Sequence, residues 1–298
     1  MKNINILDFD DSITAQTDFV TMFKPYINIS NLRRFQHAAR LWSSPKNFAE
    51  ICITAFCNLK PGFTLMGSGD FHHYSLALIK QYKAPLTIVL FDNHPDWMQP
   101  PHQYHCGTWV YSLARLPHVE RIIIIGLESG DINGKSFKSG DVESYLNQKI
   151  ILLPYEPVIA EIIGSKTSTL HSLLKSNLQA GITEIISHIA TQQVYVSVDK
   201  DCLRLEDAFT NWEQGSLPLA TVVETIIAIK KKFEIVGADT VGDYSAPKFR
   251  SPLKWLGSLL DRKISRKPHV SVGLKSELKR NELANIALFN ALANECAG

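Results

Sequence analysis

The chain lacks the features that would mark a specialised environment. Only five of its 298 residues are cysteine (Cys52, Cys57, Cys106, Cys202 and Cys296). Their number is odd, and no two have the short spacing of a zinc knuckle or the density of a disulfide framework. Free thiols under reducing conditions are the expectation. Charge of one sign is equally scarce: 31 Lys and Arg face 29 Asp and Glu, for a formal net charge of +2. No strong field therefore points to nucleic acid or to an anionic membrane surface as a partner. No apolar run approaches the length of a membrane span. The opening MKNINILDFDDS has neither the apolar stretch nor the small-residue cleavage site of a signal peptide. There is no internal repeat, low-complexity tract or obvious linker. These absences lead us to expect a soluble, cytoplasmic protein, with homo-oligomerisation left open.

What is present is an ordinary globular composition, 45% hydrophobic and 20% charged, at a length that can bury a substantial core. One domain over residues 1–298 is expected. Short β-rich apolar runs alternate with helical patterns, which predicts a three-layer α/β/α fold around a mainly parallel, doubly wound sheet. Strands are predicted at Ile4–Asp8, Phe63–Met66, Leu86–Phe91, Arg121–Gly126, Lys149–Leu153, Val194–Asp199 and Glu234–Asp239. Helices are predicted at Ser75–Tyr82, Gly107–Leu116, Ser168–Ala180, Pro218–Lys232 and Glu277–Cys296. Gly130–Ser139 and Asp243–Pro268 read as surface excursions.

In such sheets ligands gather at the carboxyl ends of the strands. Three predicted strand ends carry metal-ligand residues: GSGDFHH with Asp70, His72 and His73, DNHPDW with Asp92, His94 and Asp96, and VSVDKDC with Asp199 and Asp201. Residues two apart on a strand share a face, so Asp92 and His94 converge, as do Asp199 and Asp201, while Asn93 and Lys200 face away. A single Asp-x-Asp is commonly a cap or a turn; three clusters at three strand ends are not explained that way. Carboxylates and imidazoles without thiolate suit hard or borderline divalent ions, and six such ligands suit two ions sharing carboxylates.

With these motifs in this order, Gly67–Asp201 resembles the arginase, or ureohydrolase, family. DNHPD and SVDKD match the family's ligand motifs fully, and GSGDFHH matches with one residue inserted, so His72 is taken as the ligand with His73 in reserve. The resemblance implies an arginase-like fold and two manganese ions per chain. His72, Asp92, Asp96 and Asp199 would hold one ion; Asp92, His94, Asp199 and Asp201 would hold the other, with Asp92 and Asp199 bridging. Ions about 3.5–4 Å apart make hydroxide available near neutral pH. In this family it attacks the guanidinium carbon and releases urea and an amine.

The chain departs from the family around this core. The family's Asn after Asp-x-His-x-Asp is Met98 here, and its proton-shuttling histidine falls at Cys106, leaving His105 as the choice for proton transfer, with His102 and Cys106 as alternatives. Gly242 stands where a substrate-binding glutamate is expected, so Asp243 and Glu213 are the two candidate guanidinium partners. Loss of the residues that grip free arginine's charged ends, together with CGTW and TNWEQG, resembles a divergent branch converting arginine to ornithine within ribosomally made peptides. A rim of Trp97, Met98, Pro100 and Pro101 would suit such a peptide. The alternatives are a free small guanidino substrate as in arginase or agmatinase, and a metal-binding protein without turnover. LDFDDS, with Asp8 and Asp10, also looks like the first motif of haloacid-dehalogenase-type phosphatases, with Ser197, Lys230, Asp239 and Asp243 as later elements.

Overall fold

Runs such as LTIVLF and VYVSVD are apolar at almost every position, so the strands they form must be covered on both faces. The computed structural model, which describes residues 1–57, 59–99, 104–132, 134–156, 168–261 and 274–293, shows that arrangement. The strands are β1 (Ile4–Asp8), β2 (Ile27–Asn31), β3 (Trp42–Ser43), β4 (Phe63–Leu65), β5 (Leu86–Phe91), β6 (Tyr104–His105), β7 (Val119–Leu127), β8 (Ile150–Pro154), β9 (Gln193–Asp199) and β10 (Glu234–Val241). Eight of them form one sheet in the order β2-β1-β4-β10-β9-β5-β7-β8. Every pairing in it is parallel. Parallel neighbours need long crossovers, and the helices supply them. Side-chain alternation then divides the core in two. Val89, Phe91, Val196 and Val198 face one layer with Val222, Ile226 and Leu288 of the covering helices. Ile88, Leu90, Ile122 and Ile124 face the other with Phe48, Ile51 and Trp109. Each such side chain contributes about 1.5–3 kcal/mol on burial.

The α/β architecture and the seven expected strands are present, most with shifted ends. Several local expectations are corrected. β2 is an additional edge strand: its residues are half-exposed, and INISN lacks the continuous apolar run of the inner strands. The expected helix Ser168–Ala180 is two helices, Ser168–Ser176 and Leu178–Ser187, because Asn177 caps the second by accepting from Ala180 N at 3.1 Å. Gly130–Ser139 is a 3-10 turn, Gly130–Ile132, followed by a helix, Gly134–Ser139. The segment from Asp243 is no surface excursion at its start, where Asp243 and Ser245 are buried, and it contains the helix Pro252–Asp261. Its end, 262–268, lies outside the described residues, as do Cys296, His102, Pro100 and Pro101. β3 and β6 form a small antiparallel ribbon beside the main sheet. No described helix is long and apolar enough to cross a membrane.

Candidate metal centre

The sheet register assembles the site. β5 and β9 are neighbours with Phe91 opposite Val198, so Asp92 and Asp199 leave the sheet side by side. β4 lies one strand beyond, across β10, and delivers the buried 3-10 turn Gly69–Tyr74 with His72. Each carboxylate is fixed by a local turn. Asp92 Oδ1 accepts from His94 N at 2.7 Å, and Asp199 Oδ1 accepts from Asp201 N at 3.0 Å. Asp201 Oδ1 accepts from Asn93 N at 3.2 Å, tying the two strand ends together. Asp96 takes a left-handed backbone conformation (φ 48°), which Asp tolerates better than most residues. Its Oδ2 accepts from Trp109 Nε1 at 2.7 Å. Gly242 (φ +88°) backs the centre: a Cβ there would lie 2.5 Å from Asp199 Oδ1, so only glycine lets β10 pass this close.

The six expected ligands converge. His72 Nδ1 lies 3.4 Å from Asp92 Oδ2, 3.2 Å from Asp96 Oδ2 and 3.5 Å from Asp199 Oδ2. His94 Nδ1 lies 3.0 Å from Asp201 Oδ2 and 3.9 Å from Asp92 Oδ1. Two groups have ligand atoms all within 4.8 Å of one another: His72, Asp92 and Asp199, and Asp92, His94 and Asp201. Asp92 belongs to both. His73 is turned away, packed on Tyr74 with its Nε2 3.5 Å from Ser43 Oγ. Behind His72, Nε2 meets Ser197 Oγ at 3.1 Å, and Ser197 donates to Asp239 at 2.6 Å. That relay fixes the ring and leaves Nδ1 to face the carboxylates.

The electrostatics of this cluster call for cations. Burial, then the charges of Asp96, Asp201 and Asp199, push Asp92 well above the usual carboxylate range. Burial and the neighbouring Asp201 charge push Asp199 up to about 7. Burial pulls both histidines down but is outweighed: Asp96 and Asp199 raise His72, and Asp201 raises His94 to about 10. His72 Nδ1 and Asp92 Oδ2 are buried without a hydrogen-bond partner and face the same small space. Such orphaned atoms are costly unless something else satisfies them. Divalent ions held by oxygen and imidazole nitrogen fit this donor set.

The centre forms the floor of a cavity of about 300 Å³. Of the other expected residues, His105, Cys106, Met98 and Glu213 line it. His105 stacks on Trp42 (ring centroids 5.9 Å apart), and its Nδ1 accepts from Gly107 N at 2.9 Å. Asn93 holds the Glu213 backbone, donating from Nδ2 to Glu213 O at 2.9 Å. Asp243 is not brought to the cavity. It is buried in an ion pair with Lys200 (2.7 Å) and accepts from Gln16 (2.7 Å) and Asn285 (3.2 Å). Lys200 does face away from the centre, as strand alternation requires. Trp97 is no rim residue either: it is fully buried against Phe137 and Tyr145. The phosphatase residues are dispersed. Asp10 pairs with Arg40 at 3.1 Å, Asp8 with Arg33 at 2.7 Å, and Lys230 caps the Leu292 carbonyl at 2.7 Å.

Sequence reasoning missed four features. Asp131 and Trp212 also line the cavity. Asp131 comes from a turn with no motif around it, whereas Trp212 adjoins Glu213 in a loop already suspected. Arg40, fully buried, holds Asp70 at 2.5 Å, so Asp70 is not a ligand. Lys254 Nζ donates to four backbone carbonyls, of His37, Ala38, Arg40 and Trp42, at 2.5–3.0 Å. It thereby braces the bend that carries β3 and, through pairing of Trp42 with His105, the wall of the cavity.

Comparison with known proteins agrees with this geometry. An uncharacterized protein of Thermotoga maritima is 24% identical over 182 residues, 61% of this chain; the chain spans 58% of that relative's length. The arginase of Bacillus cereus superposes with a TM-score of 0.60 at 14% identity, covering 100% of both chains. The agmatine ureohydrolase of Thermoplasma volcanium gives 0.55 at 14% identity, over 97% of this chain and 90% of that one. At these identities the structures establish a shared fold. The Arginase family model matches residues 62–242, the span that holds all six converging ligands and more than half of the sequence. The chain therefore belongs to the arginase family.

Proposed function

We propose that the protein is a manganese-dependent ureohydrolase that converts arginine, held within a peptide, to ornithine and urea. The observation that carries the hydrolase reading is the pair of ligand groups sharing Asp92 at the floor of a substrate-sized cavity. His72, Asp92, Asp96 and Asp199 would hold one ion, and Asp92, His94, Asp199 and Asp201 the other. Two ions bound there would supply a water activated near neutral pH and polarise the reacting carbon. The chain's own residues do the rest. Glu213, an acidic residue of the cavity lining, would pair with a guanidinium. His105 lines the cavity and would protonate the departing amine as an imidazolium, returning to the neutral ring whose Nδ1 accepts from Gly107 N.

The peptide-bound substrate is supported by the charge of the lining. Among the described lining residues outside the ligand set, the charged side chains are Asp131 and Glu213, and none is Lys or Arg. Beside this described lining a free α-carboxylate would meet carboxylates rather than a Lys or Arg, whereas a peptide amide avoids that cost. A second reading has its own support: Asp131 suits the distal ammonium of a small guanidino amine. Urea and amine release from an arginine peptide, agmatine and free arginine, with manganese present, decides the matter. Turnover of the peptide alone supports the proposal, preference for agmatine selects the second reading, and no urea from any of them removes both.

A further inference from the structure

Trp109 touches two of the expected ligands at once. Its indole Nε1 donates to Asp96 Oδ2 at 2.7 Å, and its ring packs on His72 with centroids 4.7 Å apart. The side chain is buried at the start of the helix Trp109–Leu113. Two backbone bonds tie that helix and the turn before it to the Asp96 segment: Val110 N donates to Asp96 O at 3.0 Å, and Met98 N donates to Gly107 O at 3.2 Å. The indole therefore meets the carboxylate from a fixed platform. Asp96 needs one. It lies beyond the end of β5 with a left-handed backbone, and it is the most exposed of the three carboxylates that face His72. An indole N–H is neutral and only donates, so it fixes a carboxylate without cancelling its charge. Asp70 nearby shows the contrast: the buried Arg40 holds it at 2.5 Å and neutralises it, and it stands outside the ligand set.

We infer that Trp109 is a positioning residue for one ion of the pair, and that it sets the affinity of that position separately from the other. This rests on the two-ion reading of the centre. The asymmetry follows from the ligands it touches. Asp96 and His72 serve the ion they share with Asp92 and Asp199, and neither serves the ion of His94 and Asp201. Ser197 already holds the His72 ring at Nε2, and Trp109 adds a flat surface against its side. Asp96 receives its direction from the indole N–H. Outer partners that orient ligands in this way are worth about 10–100-fold in metal affinity.

The test uses the full chain, stripped by a chelator and titrated with manganese, as wild type, Trp109→Phe and Trp109→Leu. Electron paramagnetic resonance counts the free aqueous ion, which gives the number bound and the affinity of each position. The unfolding temperature of each metal-free protein checks that it is folded. Trp109→Phe keeps a ring against His72 and loses the bond to Asp96. It should weaken one of the two positions about 10–100-fold and leave the other unchanged. Trp109→Leu, which loses both contacts, should weaken the same position further. In a His94→Ala background, which keeps His72, Asp92, Asp96 and Asp199, adding Trp109→Phe should weaken the ion that remains. Turnover lost in Trp109→Phe should return as manganese is raised, which a folding defect would not allow. Unchanged affinity at both positions, or an equal loss at both, would overturn the assignment. A wild type that binds a single ion, weakened by Trp109→Phe, would defeat the two-ion reading and leave the role of Trp109 standing.

Discussion

Asp92 and Asp199 stand side by side at the carboxyl ends of β5 and β9, because the parallel register places Phe91 opposite Val198. No side chain had to be steered across a loop to bring them together. Asp92 is the member common to both ligand groups. Asp92→Ala should therefore weaken both positions, leaving at most one weakly held ion in metal analysis. Its activity should fall by more than the roughly 100-fold typical of losing an outer-shell partner. Two ions retained at full occupancy would refute the role of Asp92 as the shared ligand.

Ser197 offers a gentler probe, since it touches His72 from behind and carries the ring's link to Asp239. Ser197→Ala leaves every ligand in place but frees the ring to rotate. Manganese affinity or activity should drop about 10–100-fold. Competition with a calibrated chelator measures the first, and equal affinity in the variant would show that the relay is inert.

The protonation of the metal-free site gives a pH signature. Asp199 rises from 3.8 to about 7, and His94 from 6.5 to about 10. Both raised values mean that the folded state holds protons the unfolded chain has released. The stability they confer is present at low pH and is lost as pH climbs through about 7 and then about 10. With a chelator present, the unfolding temperature should fall between about pH 5 and pH 10. Manganese should oppose that decline, and its binding near neutral pH should release protons, because ligation requires His94 neutral and Asp199 ionised. A metal-free protein that gains stability towards pH 10, or uptake without proton release, contradicts this.

Glu213 and Asp243, the two acidic candidates of the sequence, should separate cleanly. Glu213→Gln should lower kcat/KM about ten- to a hundredfold, the worth of a hydrogen bond to a charged group, with the fold intact. Asp243→Asn strands the buried Lys200 ammonium and should cost about 3–5 kcal/mol of stability. Denaturant unfolding and steady-state kinetics on both variants check the division. A stable Asp243→Asn protein with crippled turnover would reverse the assignment.

Arg40→Met would leave Asp10 and Asp70 buried without their cation, a loss of about 3–5 kcal/mol. Its unfolding midpoint in denaturant is the measurement, and a change below about 1 kcal/mol would mean the buried system carries no strain when broken.

What the sequence displayed depended on how local the signal was. Inner strands and ligand motifs are written in consecutive residues, because strand alternation and strand-end chemistry act over two to six positions. His72, Asp92, His94, Asp96, Asp199 and Asp201 were legible for that reason. Arg40, Asp70 and Asp10 meet only through the third dimension, and nothing in LDFDDS shows that Asp10 serves an arginine thirty residues on. Asp243 misled for a related reason. It sits beside the right glycine, but Gly242 is needed to let β10 pass Asp199, and the side chain after it turns to Lys200. β2 was hidden by its edge position, where half-exposure dilutes the apolar pattern.

The Lys254 ammonium, ringed by the carbonyls of His37, Ala38, Arg40 and Trp42, amounts to a cation that the chain carries on its own tether. It coordinates the bend before β3 much as an ion would, but it cannot be chelated or exchanged. The cavity is thus supported by two kinds of positive charge: an imported one that its floor demands, and an inherited one that holds the wall bearing His105. Withdrawing the first would leave the second in place, so chelation of the floor should spare the wall.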